Sequence, residues 1–461
     1  MSILSFEFLG LVGLSSILLW LFCHEKIRPY VLMLCNIAFL YLLKPAPLHL
    51  YYLGGLVLYT WLLGYLLNKK PSKWLMAAAA AVPVIGLCYF KYSGYFAGTN
   101  LLMPLGLSFY TFKAISYLAD VFAGKSDCAD PVLVFDYICF FPAFSAGPIH
   151  RAQPFFEQLK TPFSFEYADQ KNGCIQTGFG LFEKLVIADA LSGYVSAFLN
   201  PELTGWYTVF GVILYSFQIY ADFDAYSNTA IGAARMMGFH LERNFHTPYL
   251  ASSLREFWRR WPISLSSWLR DYIYIPLGGS RKGLFRKWLN TLVIFLVSGL
   301  WHGSTLMFVI WGLFHGVISV IEDMIRIKVF KDNDFLRGVF FIPGILLNFL
   351  IVSVLWIFFR SASYAEAVTV IRSCLTLNSS LLAFDCTLAG ITNTELIWIF
   401  IMLGTIVVTD ILRNRWDMMN LLSRSPFIVR WAVYTVVMVI AVIFGVYGPG
   451  YNPQDFIYVT F

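Results

Sequence analysis

Charged residues are scarce in this chain, and their scarcity excludes the commonest class of protein. Asp, Glu, Lys and Arg make up 13% of the 461 residues, and hydrophobic residues make up 58%. Ordinary soluble domains carry about a quarter charged residues. Alternating apolar segments are missing as well, which excludes a transmembrane β-barrel. We therefore expect an all-α protein that resides in a membrane.

Continuous apolar tracts recur along the whole chain at lengths that suit a bilayer, which takes about 20 helical residues. We predict about 11 transmembrane helices, because some tracts are expected to merge or to be re-entrant. No soluble domain of useful size is left over, so we expect one membrane-embedded domain over 1–461. The tracts are 5–23, 29–43, 49–67, 74–92, 101–122, 131–149, 173–199, 205–237, 285–301, 304–325, 339–359, 394–411 and 429–447.

Two further absences limit the chemistry. The eight cysteines are scattered and form no C-x-x-C pair, so we expect neither a metal site nor a disulfide framework. The stretch "PLGGSRKG" (276–283) lacks the spacing of a phosphate-binding P-loop. Nucleic acid is not an expected partner, because no soluble domain presents a binding face.

Basic residues indicate which loops face the cytoplasm, since such loops are enriched in Lys and Arg. Lys26 and Arg28 follow the first tract, and lysines at 69, 70 and 73 follow the third. This alternation predicts an N-terminus outside the cytoplasm. The four arginines of 412–430 predict a cytoplasmic loop before the last tract. That tract then runs outward, and the tail 448–461 is expected on the extracytoplasmic side.

The stretch 255–287 concentrates positive charge, with eight Lys and Arg residues offset only by Glu256 and Asp271. Topology alone explains such a cluster, and so do the phosphates of an anionic substrate or anionic lipid headgroups. Tryptophans 258, 261 and 268 lie among the arginines. This pattern predicts an interfacial or re-entrant amphipathic segment, with indole rings at headgroup level and guanidinium groups in water.

A second polar stretch, "QIYADFDAYSNTAIGAARMMGF" (218–239), places Asp222, Asp224 and Tyr226 in or beside an apolar tract. An ionisable side chain at membrane depth costs about 2.5–3.5 kcal/mol on insertion. We favour a polar helix end that holds neighbouring helices by hydrogen bonds over a direct role in chemistry.

Two histidines, His302 and His315, interrupt the apolar stretch "FLVSGLWHGSTLMFVIWGLFHG" (295–316). A buried imidazole stays neutral, because burial disfavours its charged form. It could then take a proton from a hydroxyl that attacks a thioester carbonyl. The alternative is a hydrogen-bonded core histidine. On a continuous helix, His315 would lie about 20 Å beyond His302, which favours helix packing for His315.

Taken together, these stretches resemble the membrane-bound O-acyltransferase family, in its bacterial branch of alginate O-acetylases, peptidoglycan O-acetyltransferases and teichoic-acid D-alanyl transfer proteins. The similar motifs appear in the family's order over residues 100–316. They are "PLGLSFYTFKAISYLADVF", "FFPAFSAGPIHR", "GLFEKLVIAD", "QIYADFDAYSNTAIGAARMMGF", "FWRRWPISLSSWLRDYIYIPLGG" and "GLWHG".

The resemblance implies a function and its residues. His302 matches the family's histidine, in a tunnel across the membrane that Trp301, His315, Asp222, Asp224 and Tyr226 would line or support. The implied donor is acetyl-CoA or another acyl thioester, met by Arg259, Arg260 and Arg270, and no bound cofactor is implied. The implied location is the bacterial inner membrane, and the implied partners are lipids, an extracytoplasmic acyltransferase and a polysaccharide acceptor.

The sequence departs from the family at Pro262, where relatives usually carry a histidine. Proline offers neither a side-chain donor nor a base. Ser264, Ser266 and His246 are candidates to replace it, and the sequence does not rank them. The departure leaves more of the catalysis to His302.

The tail "FIYVTF" (456–461) resembles the ending of the alginate O-acetylase-like members. The resemblance implies a tyrosine at the outer mouth of the tunnel. We interpret Tyr458 as a transient acyl acceptor, with a packing anchor as the alternative.

The sequence thus predicts a membrane acetyltransferase for O-acylation of a cell-surface or exported polysaccharide. One alternative is D-alanyl transfer from an acyl carrier protein to teichoic acid. The other, from a different class, is a flippase for lipid-linked sugars, which would show paired halves with interrupted helices.

Overall fold

The protein is described here by a computed structural model, which covers residues 5–22, 24–97, 102–161, 164–330, 338–376 and 384–448. Within these ranges the regular structure is helical throughout and contains no strand. The predicted all-α class is confirmed. The helices form two compact units, one from Met1–Leu181 with Tyr226–Arg243, the other from Phe182–Ala225 with Asn244–Tyr451. The single domain expected over 1–461 stays a prediction.

The first unit is built from the N-terminal helices and the last turns of one long helix. A short 3-10 turn at Phe141–Ala143 interrupts them. The helices are Phe6–Leu21, Arg28–Leu43, Pro47–Lys69, Lys73–Ala97, Leu107–Phe122, Pro131–Cys139, Ala152–Lys160, Tyr167–Phe182 and the end of Trp206–Met236.

The second unit holds most of the residues that the sequence singles out. Wider π-helical turns lie at Glu183–Ala188, Arg270–Tyr274 and Arg326–Phe330, and 3-10 turns at Pro248–Leu250 and Cys386–Ala389. Its α-helices are Asp189–Phe198, the start of Trp206–Met236, Leu254–Arg260, Ile263–Leu269, Leu284–His302, Leu306–Ile325, Phe341–Arg360, Tyr364–Leu375, Asn393–Arg415, Met418–Arg424 and Phe427–Phe444.

Among the described residues, seven helical segments are long and apolar enough to cross a bilayer. A bilayer core of about 30 Å requires about 20 helical residues, and each segment has at least 18 residues. The chain is therefore a multi-pass membrane protein. The segments are Pro47–Lys69, Lys73–Gly94, Leu284–His302, Leu306–Lys328, Phe341–Arg360, Asn393–Arg415 and Phe427–Phe444.

The apolar tract 131–149 is not the membrane span that its composition predicts. Its helix ends at Cys139, a 3-10 turn follows, and 144–151 has no regular structure. Pro142 and Pro148 lack the backbone N–H that a continuing helix needs, so the helix cannot run on. The segment stays in the interior of the first unit, where Phe140, Phe141 and Phe144 are buried.

Two tryptophans of the basic stretch are buried in the second unit. Trp261 is fully buried and Trp268 nearly so. The Trp261 ring contacts Phe257 at 5.5 Å and Trp356 at 5.2 Å between centroids. Aromatic packing within the protein therefore holds the Trp261 indole, and the placement of these rings at headgroup level stays a prediction.

Two consecutive helices, Leu284–His302 and Leu306–Ile325, form a tight antiparallel pair that we call the histidine hairpin. Small residues allow helices in membranes to approach closely. A methyl group added to Gly299 would overlap the carbonyl oxygen of Phe308, and one added to Gly312 would overlap that of Phe295. The two glycines therefore set the spacing of the hairpin.

Gly312→Ala is expected to destabilise the protein by about 1–3 kcal/mol, the usual cost of overpacking a core. The new methyl group meets backbone, which cannot rotate away. Thermal unfolding in detergent measures the effect. Gly404→Ala is the matched control, since a methyl group at Gly404 meets open space and should leave stability unchanged or slightly raised. Equal stability of the two variants would contradict a glycine-set spacing.

Candidate active site

His302 is the last residue of its helix and lies in a cage of aromatic rings. The side chain is 1% exposed. Its ring centroid lies 4.5 Å from that of Trp301, 5.0 Å from Trp311 and 5.1 Å from Phe359. The Trp311 and Phe359 rings meet it nearly edge-on, at 87° and 78°. The predicted catalytic histidine is thus held in a low-polarity site, where burial favours a neutral imidazole.

His315 is not about 20 Å beyond His302, because the helix does not continue. The chain turns at Gly303 and His315 lies on the returning helix. The Trp311 ring separates the two imidazoles, 5.0 Å from His302 and 4.7 Å from His315 between centroids. The histidines are therefore neighbours across one indole ring.

A hydrogen bond fixes the orientation of His315. The indole N–H of Trp258 donates to Nδ1 of His315 over 3.2 Å. The imidazole also stacks on Phe295, at 5.9 Å and 17° between the planes. Since Nδ1 accepts, the ring proton of the neutral imidazole resides on Nε2. The fully buried His315 is therefore held in one tautomer and one orientation.

A cavity of about 270 Å³ opens between the histidine hairpin and the helices of 254–274, and we call it the basic cavity. Its cations are Arg255, Arg270 and Lys287, and Trp258 forms part of its wall. Trp258 thus belongs both to the cavity and to the hydrogen bond with His315. The basic cavity therefore reaches a direct neighbour of His315.

Hydroxyl groups line the part of the basic cavity formed by the hairpin. Ser298 precedes His302 by four residues and Ser319 follows His315 by four, so each pair shares a helix face with Cβ atoms about 6 Å apart. Both hydroxyl oxygens are buried without a hydrogen-bond partner among the described residues. They offer donors to carbonyl or amide groups of a ligand, and nothing in the motifs singles them out.

Charge at the basic cavity is only partly compensated. Lys287 donates to Asp323 at 2.6 Å, and Arg270 to Asp271 at 2.8 Å. Burial lowers the pKa of Arg255, and the guanidinium groups of Arg259 and Arg326 lower it further. Arginine nevertheless stays protonated at physiological pH. Burial is thus the main cause of the lowered pKa of Arg255, and the carboxylates of Asp323 and Glu322 oppose it.

The three arginines predicted to bind the donor differ in position. Arg270 lines the basic cavity. Arg260 is engaged by Glu256 at 2.5 Å and by the Thr247 hydroxyl at 2.9 Å, away from the cavity lining. Arg259 is exposed and does not line it either. Arg255 and Lys287, two members of the basic stretch, take those places.

The candidates to replace the family histidine at Pro262 can be separated by their contacts. The Ser264 hydroxyl donates to Asn244 at 2.7 Å and is buried. The Ser266 hydroxyl donates to the Trp261 carbonyl at 3.2 Å, and Ser266 lines the basic cavity. His246 does not line it. Of the three, only Ser266 faces a ligand-sized space.

The acidic residues of 218–239 hold ion pairs. Asp222 accepts from Lys184 at 2.6 Å, and Asp224 accepts from Arg413 at 2.7 Å. In the first unit, the Tyr226 hydroxyl makes a hydrogen bond with that of Ser145. None of the three predicted support residues lines the basic cavity. Their contacts are those of side chains that hold helices together.

Tyr458, predicted as the transient acceptor, lies outside the described residues, as do the other residues of 449–461.

The sequence motifs agree with a comparison across known families. Residues 123–345 match the model of the membrane-bound O-acyltransferase family. The chain is therefore similar to this family over that range. The matched range contains the basic stretch, both histidines and Pro262, and the resemblance drawn from the motifs is confirmed.

Several relatives within the family carry names that specify a reaction. The chain is 34% identical to the probable alginate O-acetylase of Pseudomonas aeruginosa, over 65% of this chain and 60% of that protein. It is 29% identical to the peptidoglycan O-acetyltransferase of Helicobacter pylori, over 68% and 66%. It is 29% identical to the teichoic acid D-alanyltransferase of Bacillus subtilis, over 44% and 55%.

The match to the alginate O-acetylases is partial in length. The chain spans 60%, 61% and 63% of the proteins of this name from Pseudomonas aeruginosa, Azotobacter vinelandii and Pseudomonas putida.

Proposed function

We propose that this chain is a membrane O-acyltransferase. It takes an acetyl group from cytoplasmic acetyl-CoA and passes it across the membrane, where the group is used to O-acylate a cell-surface or exported polysaccharide. The match to the model of the membrane-bound O-acyltransferase family supports the reaction type. The relatives named alginate O-acetylase and peptidoglycan O-acetyltransferase support an acetyl group and a polysaccharide acceptor.

The observation that carries the proposal is the basic cavity beside the histidine hairpin. Pockets that bury a drug-sized ligand measure about 300–1,000 Å³, whereas this cavity measures about 270 Å³. It therefore suits the narrow arm of a thioester donor rather than a whole nucleotide. The phosphates of the donor would stay outside the cavity, within reach of the exposed Arg255.

The proposed chemistry assigns the proton transfers to His302. The imidazole takes the proton of the acceptor hydroxyl while the hydroxyl oxygen attacks the thioester carbonyl. The C–S bond then breaks, and the thiolate receives the proton from the imidazolium. Such general acid–base catalysis contributes about 10²–10⁴-fold in rate, and alignment in a narrow site adds to it.

The acceptor of the first step is proposed to be Tyr458. An acetyl-tyrosine ester at the outer mouth of the tunnel would transfer the acetyl group to an extracytoplasmic acyltransferase. Coenzyme A itself would then not have to cross the membrane. Peptide mass spectrometry after incubation with radiolabelled acetyl-CoA tests this relay. Label on Tyr458, absent from Tyr458→Phe, supports it. If the protein stays unlabelled but releases CoA when a glycan is supplied, the acetyl group passes directly from acetyl-CoA to the glycan.

This route requires a defined topology. We propose about 11 spans around a central tunnel, in the bacterial inner membrane, with both termini outside the cytoplasm. The basic loops after the first and third helices and the arginines of 412–430 support this orientation. The test labels the cysteine of Ser5→Cys with a reagent that does not cross the membrane, in intact and in permeabilised cells. Labelling in permeabilised cells alone would contradict an N-terminus outside the cytoplasm.

Arg255→Gln is expected to raise the KM for acetyl-CoA about tenfold and to change kcat little. The substitution removes one charge-assisted hydrogen bond, worth about 1.5 kcal/mol or more, and 1.4 kcal/mol corresponds to a factor of ten. CoA release by protein in nanodiscs, measured against acetyl-CoA concentration, gives both constants. Arg286→Gln is the matched control, because Arg286 is exposed and does not line the basic cavity. Equal KM values for the two variants would contradict the donor site.

The same assay separates the proposal from its rivals. Turnover of an acylated carrier protein but not of acetyl-CoA would favour D-alanyl transfer to teichoic acid, in line with the teichoic acid D-alanyltransferase relatives. Turnover of neither donor, together with movement of lipid-linked sugars in proteoliposomes, would favour a flippase.

A further inference from the structure

We infer that His315 is a positioning residue, which holds Trp258 and Trp311 so that an occupied basic cavity keeps His302 aligned for proton transfer. The inference rests on the proposed function and assigns the two buried histidines different roles. His302 exchanges protons with the reacting groups, whereas His315 acts through aromatic neighbours.

The Nδ1 lone pair of His315 argues against a role as base for this residue. A general base needs a nitrogen lone pair that is free to accept a proton. In His315 the Nδ1 lone pair accepts the Trp258 indole N–H at 3.2 Å, and the proton of the neutral ring is on Nε2. A protonated His315 would carry a proton on Nδ1, directed at the indole N–H, and would lose the bond. His315 therefore holds Trp258 only while it is neutral and does not act as a base.

The rings around His315 leave it one orientation. Phe295 stacks on one face, while Trp258 and Trp311 contact the imidazole edge-on at 5.1 and 4.7 Å between centroids. Trp258 and Trp311 also contact each other, at 5.7 Å. Each ring of this cluster touches at least two others, so a shift of one displaces its neighbours.

The cluster links the ligand space to the catalytic histidine. Trp258 lines the basic cavity, and Trp311 contacts His302 at 5.0 Å and 87°. A thioester arm in the cavity would press on the Trp258 ring, which the hydrogen bond to His315 keeps against Trp311. Occupation of the cavity by the donor would then restrict the His302 ring. Misplacement of a reacting group by about 1 Å costs about 10²-fold in rate.

The test uses full-length protein in nanodiscs and compares three variants. His315→Leu removes the acceptor, and kcat for acetyl-CoA turnover is expected to fall about 100-fold. His315→Asn keeps an acceptor near the Nδ1 position and is expected to stay within about 5-fold of wild type. Trp258→Phe keeps a ring but removes the donor, so combining it with His315→Leu should cost little more than His315→Leu alone.

The pH profile distinguishes positioning from a direct proton transfer. Substitution of a positioning residue lowers the height of the plot of kcat/KM against pH. It leaves the shape of the plot unchanged, because the titrating base is still His302. If His315→Asn removes a limb of the profile, or is as inactive as His302→Ala, His315 is a base and the inference is overturned.

A spectroscopic measurement keeps the inference independent of turnover. In protein with ¹⁵N-labelled indoles, the Trp258 N–H resonance is the one missing from Trp258→Phe. It should move upfield in His315→Leu and little in His315→Asn. If wild type does not turn over acetyl-CoA, the proposed function fails, and these shifts still report whether the bond holds Trp258. An unmoved resonance in His315→Leu overturns the inference even in an active enzyme.

Discussion

Replacing His302 by alanine is expected to lower acetyl-CoA turnover by at least about 10³-fold, near the upper range for loss of a general base. The rings of Trp301, Trp311 and Phe359 surround the imidazole, and none of these three side chains is basic. His315, its neighbour across Trp311, is held by Trp258. CoA release in nanodiscs measures the loss, and label on Tyr458 should vanish with it.

Two controls separate lost chemistry from lost structure. His302→Asn fills much of the same space but carries no basic nitrogen, so it should be as inactive as His302→Ala with a smaller change in thermal stability. His240→Ala removes a histidine whose side chain is 61% exposed, and turnover should be unchanged. His302→Ala with more than a tenth of wild-type turnover would mean that His302 only packs.

Lys184→Met is expected to destabilise the protein by about 3–5 kcal/mol, the cost of leaving a buried charge without its partner. The Lys184 ammonium contacts Asp222 at 2.6 Å and Asp189 at 2.7 Å. The Lys184 and Asp222 side chains are 2% and 3% exposed. The substitution would remove the cation that these two carboxylates share, at a place with little access to water. Thermal unfolding followed by intrinsic fluorescence measures the effect.

The matched control breaks a more exposed pair. Arg235 and Asp169 make a contact of 2.8 Å with side chains 27% and 22% exposed, so Arg235→Met should cost at most about 1 kcal/mol. In the double variant Lys184→Met with Asp222→Asn, removal of one of the two carboxylate charges should restore part of the stability. A single Lys184→Met variant as stable as Arg235→Met would show that the buried pair contributes little.

Sequence alone goes furthest where the cause is local. An apolar tract of about 20 residues becomes a helix wherever its flanks allow, because the backbone must satisfy its own hydrogen bonds in lipid. Most tracts correspond to helices, and 131–149 fails where Pro142 and Pro148 lie inside it. Likewise, the motifs taken together, in their order over residues 100–316, are enough to indicate the resemblance to the family.

The candidate site required the tertiary structure. Spacing along the chain separates His315 from His302 by about 20 Å of helix, yet one turn at Gly303 brings both rings onto Trp311. The distribution of charge along the sequence does not distinguish Arg255 from Arg259. The packing of 254–274 on the histidine hairpin places Arg255, and not Arg259, in the lining of the basic cavity.

The sequence by itself determined the membrane class, the helical fold and the similarity to a family, because composition, tract length and motif order are properties of the chain alone. Only the tertiary structure decided which tryptophans contact each histidine, which cations line the basic cavity and which lysine pairs with Asp222. Those contacts join residues on separate helices, and their distances depend on how closely Gly299 and Gly312 let two backbones approach.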